Sequence, residues 1–169
     1  HPIPDMESIA DVLAYIRSRA AALQPGQWIT LSQVFITRLR EQRYPTREEM
    51  DQAAPRNPVI FRTGPDASLN SLALKLSGIS REPFAGEGRL GKVERDQKTG
   101  EPTGIVRNAL RLVAARASGR APTMDDRRQR LKMLLADYNS VGITSIVERT
   151  AGDDTVELFR SLKEAGELS

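Results

Sequence analysis

The residues able to do chemistry in this chain are few, and most of the familiar sets are missing. There is no cysteine among the 169 residues, and the one histidine is His1. Disulfides, thiolate-held zinc and thiol nucleophiles are excluded, and a Ser-His-Asp triad has no histidine in the body of the chain. A hydrolytic metal site draws on several histidines and carboxylates, so the chain holds no complete set. No Walker loop, dinucleotide glycine motif or H-E-x-x-H is present. The glycines at 86, 88 and 91 neither follow a clear strand nor open a helix, so they read as a turn rather than a phosphate cradle.

What remains is a short list of single residues, each with a structural alternative. Glu148 is the best-placed carboxylate, since it follows an apolar segment; a solvated position or a salt bridge to Arg149 or Arg127 is the plain alternative. Asp66 and Asn70 lie one helical turn apart at a strand-to-helix junction. They suit substrate contact, and equally helix capping. Trp28 suits a binding aromatic or a buried strand residue. Arg38, Arg40, Arg43 and Arg47 form a basic cluster with Tyr44 as its one aromatic, which reads as a solvated face.

Secondary structure must position these groups. Ile9, Val12, Leu13, Ile16, Ala20 and Leu23 recur on one helical face over residues 8–23, with Ser8 as N-cap. Gln24-Pro25-Gly26-Gln27 turns the chain into a strand from Trp28 to Phe35. Thr46-Arg47-Glu48-Glu49 is a capping box that starts a short helix to about Ala54. Val59 to Arg62 is a short strand, broken by Gly64-Pro65, and Leu69 to Ser77 reads as helix ending at Gly78. Lys92–Asp96 and Gly104–Arg107 form a hairpin about Lys98-Thr99-Gly100. Residues 107–117 read as helix and 118–122 as loop. Thr123 caps a long helix with apolar face Leu131, Leu134, Leu135, Tyr138 and Val141. Gly142 ends it, Ile143 to Val147 reads as a buried parallel strand, and Asp153 or Asp154 opens a last helix. In such a unit the functional positions lie past the strand, at Glu148, Arg149 and Thr150.

Composition sets outer limits. Apolar residues make up 39% and charged residues 28%, with a net charge of +3 spread over interspersed signs, so no nucleic-acid partner is expected. No apolar run reaches the ~20 residues of a membrane span, so no membrane partner is expected either. The chain opens on His1-Pro2-Ile3-Pro4 rather than Met and no signal-peptide pattern follows, which reads as an internal piece of a longer chain, with a cytoplasmic setting favoured.

Taken in order, several segments resemble one family. They are the Ser8–Leu13 helix; Pro25-Gly26-Gln27-Trp28-Ile29; Tyr44-Pro45-Thr46-Arg47-Glu48-Glu49-Met50-Asp51; and Ala53-Ala54-Pro55-Arg56-Asn57-Pro58-Val59. Then come Asn70-Ser71-Leu72-Ala73-Leu74, Gly100-Glu101-Pro102-Thr103-Gly104-Ile105 and Gly142-Ile143-Thr144-Ser145-Ile146. The succession is similar to the YtcJ-like branch of the amidohydrolase superfamily, amidohydrolase family 3, and covers nearly the whole chain. The resemblance implies a metal-dependent (β/α)₈ barrel with a small β-sandwich, hydrolysing amide-type C–N bonds, N-substituted formamides among them. It implies a metal held by a His-x-His after the first strand, a Lys or acidic residue after a middle strand, and later histidines and an aspartate. There, a metal-bound hydroxide attacks the carbonyl and the aspartate handles the proton.

The chain departs from that pattern in three places. The His-x-His is absent, His1 being a remnant of it or a tag residue; the later ligands are absent; and the stretch Gly64-Pro65-Asp66-Ala67 lacks the histidine that family members carry shortly before their Asn-Ser-x-Ala-Leu segment. By position, Glu148 matches the middle-strand ligand. The resemblance therefore implies an α/β chain of partial (β/α)₈-barrel elements with an inserted α+β segment: helix and strand over 1–35, the insertion over 36–120, and an αβα barrel unit over 121–169. A divalent metal, most readily zinc, belongs to the full-length parent, and none is expected in this chain. The expected partners are the remainder of the parent barrel, a small-molecule amide for the parent, and further copies of the chain through exposed apolar faces, with the isolated chain inactive. The reading from another class is a non-catalytic ligand- or protein-binding module.

Overall fold

The computed structural model describes residues 6–32, 34–115, 122–149 and 151–168. His1, the Gln33 position of the expected first strand, the end of the expected 107–117 helix, most of the 118–122 loop and Thr150 lie outside the described residues. Two compact units divide between Ser118 and Gly119.

The first unit is built on a five-stranded mixed sheet in the order β1-β2-β3-β5-β4. Helix α1 (Ile9–Ala22) starts where Ser8 accepts from the Asp11 amide, and buries Ile9, Val12 and Ile16. Strand β1 (Ile29–Ser32) runs parallel to β2 (Val59–Thr63), and helix α2 (Arg47–Ala53) connects them after its Thr46/Glu49 capping box. Strand β2 then folds back on β3 (Asp66–Leu69) through the two-residue turn Gly64-Pro65, with Thr63 opposite Asp66. Gly64 has φ +58°, which only glycine adopts without strain. Helix α3 (Ser71–Leu76) follows at once, and β4 (Lys92–Arg95) pairs antiparallel with β5 (Pro102–Arg107), which also pairs with β3. At Gly104 a Cβ would lie 2.6 Å from the Leu69 carbonyl oxygen, so the β3–β5 approach requires glycine.

Both faces of this sheet are covered. Val59, Ile60 and Phe61 are buried in succession, which a strand shows only when it has a core on each side. One core joins Ile29, Leu31, Val59 and Phe61 to α1 and α2; the other joins Trp28, Ile60, Leu69 and Val106 to Leu74 of α3. Arg95 ties the 80–91 loop down, reaching the Arg81 and Glu82 carbonyls and pairing with Glu87 at 2.6 Å.

The second unit contains α4 (Met124–Ser140), with a Thr123/Asp126 capping box, and α5 (Asp153–Glu164). Among its described residues Leu135 and Leu162 are buried, and Glu167 pairs with both Arg128 and Lys132 at 3.0 Å.

Four sequence expectations are corrected. The first strand is shorter than Trp28–Phe35: Trp28 precedes it, and a 3₁₀ turn at Ile36–Arg38 follows. The helix expected from Leu69 starts at Ser71, because Asp66–Leu69 is a strand recruited by β2 and β5; Leu76 is half-exposed, and Leu74 is buried instead. The 107–117 helix reduces to a 3₁₀ turn at Leu110–Leu112, since Arg107 is held in β5 and Asn108 sits at φ +48°. Residues 143–147 form no strand. A parallel strand needs neighbours to receive its amides, and every strand among the described residues lies in the first unit.

Candidate functional site

The tightest polar cluster forms at the carboxyl end of β2. The Gly64-Pro65 turn brings Asp66 to the head of β3, while the 67–106 pairing sets it beside Arg107, the last residue of β5. Arg107 donates from Nε to Glu94 (2.7 Å) and from Nη1 to both Asp66 (2.9 Å) and the Tyr44 hydroxyl oxygen (2.9 Å). Its guanidinium carbon lies 5.0 Å from the centroid of the Tyr44 ring, a cation–π contact. The other oxygen of Asp66 accepts from the Asn108 amide at 2.9 Å. Tyr44 stands edge-on to Phe61, with centroids 6.3 Å apart, so the cluster is fixed to the core.

The hydrogen bond to Glu94, then that to Asp66, holds the Arg107 proton more tightly than usual. Burial pushes the Tyr44 phenol upward from a value already well above neutral.

Tyr44 and Arg107 open on a cleft of about 680 Å³ between the start of α2 and β5, walled by Ile36, Pro45, Pro102 and Ile105. Its guanidinium groups are all engaged. Arg43 grips Glu49 with two bonds of 2.7 and 2.8 Å, and Arg47 pairs with Glu48 and donates to the Pro102 carbonyl at 3.0 Å. Two of the four arginines of the basic cluster, Arg43 and Arg47, are thus ion-paired, and Arg38 lies over the Phe35 ring.

The Arg43 pairing lowers the Glu49 carboxyl from 4.5 to about 2. A carboxylate depressed on folding adds stability above its unfolded value, and that stability is lost as pH falls toward the folded one. The melting temperature is therefore expected to fall between pH 4.5 and about pH 2. Glu49→Gln should lower it at pH 7 and flatten its slope in that window. Parallel melts across the range check this, and an unchanged slope in the variant would count against it.

The residues singled out from sequence are dispersed. Asp66 joins the Arg107 cluster. Asn70 is buried, and its amide caps α3 and ties Val59 and Asn57 together. Trp28 is buried in the core shared with Leu69 and Val106. Glu148 is exposed in the second unit. Nothing local in the sequence marks Arg107 or Glu94, because their roles come from cross-strand pairing. Tyr44 stands out in the sequence only as the lone aromatic of the basic cluster and as the first residue of one family-like segment.

These groups do not make a metal site. Both Asp66 oxygens are taken by Arg107 and the Asn108 amide. Among the described residues no three His, Cys, Asp or Glu side chains are grouped to hold an ion. The donor set present does not fit a divalent metal without ligands from elsewhere. Among the described residues no helix is long and apolar enough to cross a membrane.

A mixed α/β sheet with a polar cluster past its parallel strands is an arrangement found in hydrolases and in many other enzymes. The family pattern of the amidohydrolases matches residues 1–169, and the chain belongs to that family. An N-substituted formamide deformylase from Arthrobacter pascens is 32% identical over 98% of this chain, which spans 31% of that enzyme's length. An uncharacterized metal-dependent hydrolase from Pyrococcus horikoshii superposes with a TM-score of 0.45 at 18% identity, covering 96% of this chain and 30% of that one.

Proposed function

We propose that this chain is a segment of a YtcJ-like, metal-dependent hydrolase that cleaves non-peptide C–N bonds in small amides, and that alone it is inactive. The observation that carries this reading is the 32% identity to a formamide deformylase across almost all of the chain. The parallel β1–α2–β2 unit supports partial (β/α)₈-barrel elements, with α2 and β2 falling inside the 36–120 stretch expected as the insertion. Glu148 is the candidate metal ligand in the complete protein, where zinc is the leading ion, and its remaining ligands come from outside this chain.

The purified 169-residue chain is expected to carry less than about a tenth of an equivalent of zinc, iron or manganese, and to release no formate from N-substituted formamides. The complete protein should carry metal and turn such amides over. There Glu148→Ala should lower metal content and cut turnover at least about 10- to 100-fold, the range seen when even an outer partner of a metal site is lost. Close to one equivalent of metal in the 169-residue chain would overturn the reading.

The reading extends to self-association of the isolated chain. Val141 and Val147 are 72% and 86% exposed, and Ile143 and Ile146 line an apolar hollow of about 440 Å³ within the second unit. Light scattering at micromolar concentration should show dimers or larger species; a clean monomer would sink this part.

A further inference from the structure

We propose that the cleft beside Tyr44 binds a small uncharged carbonyl compound, its carbonyl oxygen accepting from the Tyr44 hydroxyl and its apolar substituent lying against Ile36 and Ile105. The proposal builds on the amide-hydrolase reading and adds where, and by what contacts, this chain holds the substrate.

Tyr44 is an unspent donor. Its oxygen accepts from Arg107 at 2.9 Å, while its own proton is donated to no group among the described residues. A phenol that receives a hydrogen bond from a cation donates more strongly in turn, because the two bonds polarise each other. Like any phenol, Tyr44 is protonated at neutral pH, and burial pushes its titration further upward. The group is also held still: Arg107 is clamped by Asp66 and Glu94, and the ring rests edge-on against Phe61. A fixed donor spends little entropy on binding.

The charge balance selects a neutral ligand. Arg43, Arg47 and Arg107 are paired with Glu49, Glu48, and Asp66 with Glu94, respectively. An anion would have to displace a carboxylate, and an ammonium group offers the Tyr44 proton no acceptor; a neutral carbonyl meets both conditions. The wall offers an apolar side at Ile36 and Ile105, both half-buried, while Asp96, Glu101 and the threonines at 46, 99 and 103 line its polar side. About 680 Å³ lies within the ordinary range of small-molecule sites, roughly 300–1,000 Å³. The Tyr44–Arg107 end of the cleft lies past the carboxyl ends of the parallel strands β1 and β2, where α/β folds place their ligands.

The test is a ligand-observed NMR titration of the 169-residue chain with formanilide, using benzoate and benzylammonium as charged ligands of similar size. Formanilide should bind saturably, and both charged ligands more weakly. Tyr44→Phe should weaken formanilide about 3- to 10-fold, the effect of one neutral hydrogen bond. Ile105→Trp, which fills the cleft, should abolish binding. Far-UV circular dichroism of both variants, with Trp28 fluorescence for Tyr44→Phe, verifies that they fold. No saturable binding, equal binding by Tyr44→Phe, or benzoate binding as tightly as formanilide overturns the site.

The complete protein separates the two readings. Tyr44-dependent binding of formanilide with no amide hydrolysis by the complete protein leaves the site standing and removes the hydrolase function. Hydrolysis whose KM is unchanged by Tyr44→Phe, with no saturable binding to the chain, leaves the function standing and removes the site.

Discussion

Asn70→Ala should destabilise the first unit by about 3–5 kcal/mol, because it strands several buried polar groups at once. The side chain is 1% exposed. Its Oδ1 accepts from the amides of Val59 (2.9 Å) and Ala73 (3.0 Å), and its Nδ2 donates to the Asn57 carbonyl (3.0 Å). One residue thus caps α3, supplies the partner for the first amide of β2 and closes the turn before it. Alanine leaves two buried N–H groups with no acceptor, each worth about 1–3 kcal/mol. Trp28 is the one tryptophan in the chain and is buried in the same unit, so urea denaturation followed by its fluorescence reads this unit directly. A loss under about 1 kcal/mol would mean that water or a backbone shift replaces the amide. Asn70→Asp should fall between, since it keeps the acceptor for both amides but loses the donor and buries a charge.

Phe61→Ala should cost a similar about 3–5 kcal/mol, through the transfer free energy of the ring and the cavity it leaves. Phe61 is fully buried at the middle of β2. Its loss also removes the edge-on support of Tyr44, so formanilide binding should weaken even under conditions where the variant remains folded. Phe61→Leu keeps most of the volume and should cost less than about half as much. If the alanine variant unfolds at the wild-type urea midpoint, the ring is not the centre of this core.

The elements with local codes are legible in the sequence by itself. The 3.6-residue spacing of Ile9, Val12 and Ile16, the Thr46/Glu49 box, the Thr123 cap and the Asp96–Gly100 turn are each coded by a few nearby residues. The family is legible in the same way, through the order of short segments along the whole chain. Residues 66–69 have no such code. Asp-Ala-Ser-Leu alternates weakly, and becomes a strand because β2 and β5 offer amides on either side. The reverse holds for Ile143–Val147, whose β-branched residues favour a strand that finds no partner in its unit.

The candidate site follows the same division. Composition alone settles that no cysteine chemistry, and no histidine-rich centre within the body of the chain, is available here, because that depends on which atoms exist and not on where they lie. The assembly of Tyr44, Asp66, Glu94 and Arg107 depends on strand register: a one-residue slip of β5 would turn Arg107 to the other face and leave both carboxylates without their cation. Register is a property of paired strands, set by side chains that are remote in sequence, and for that reason the cluster emerges only when the sheet has formed.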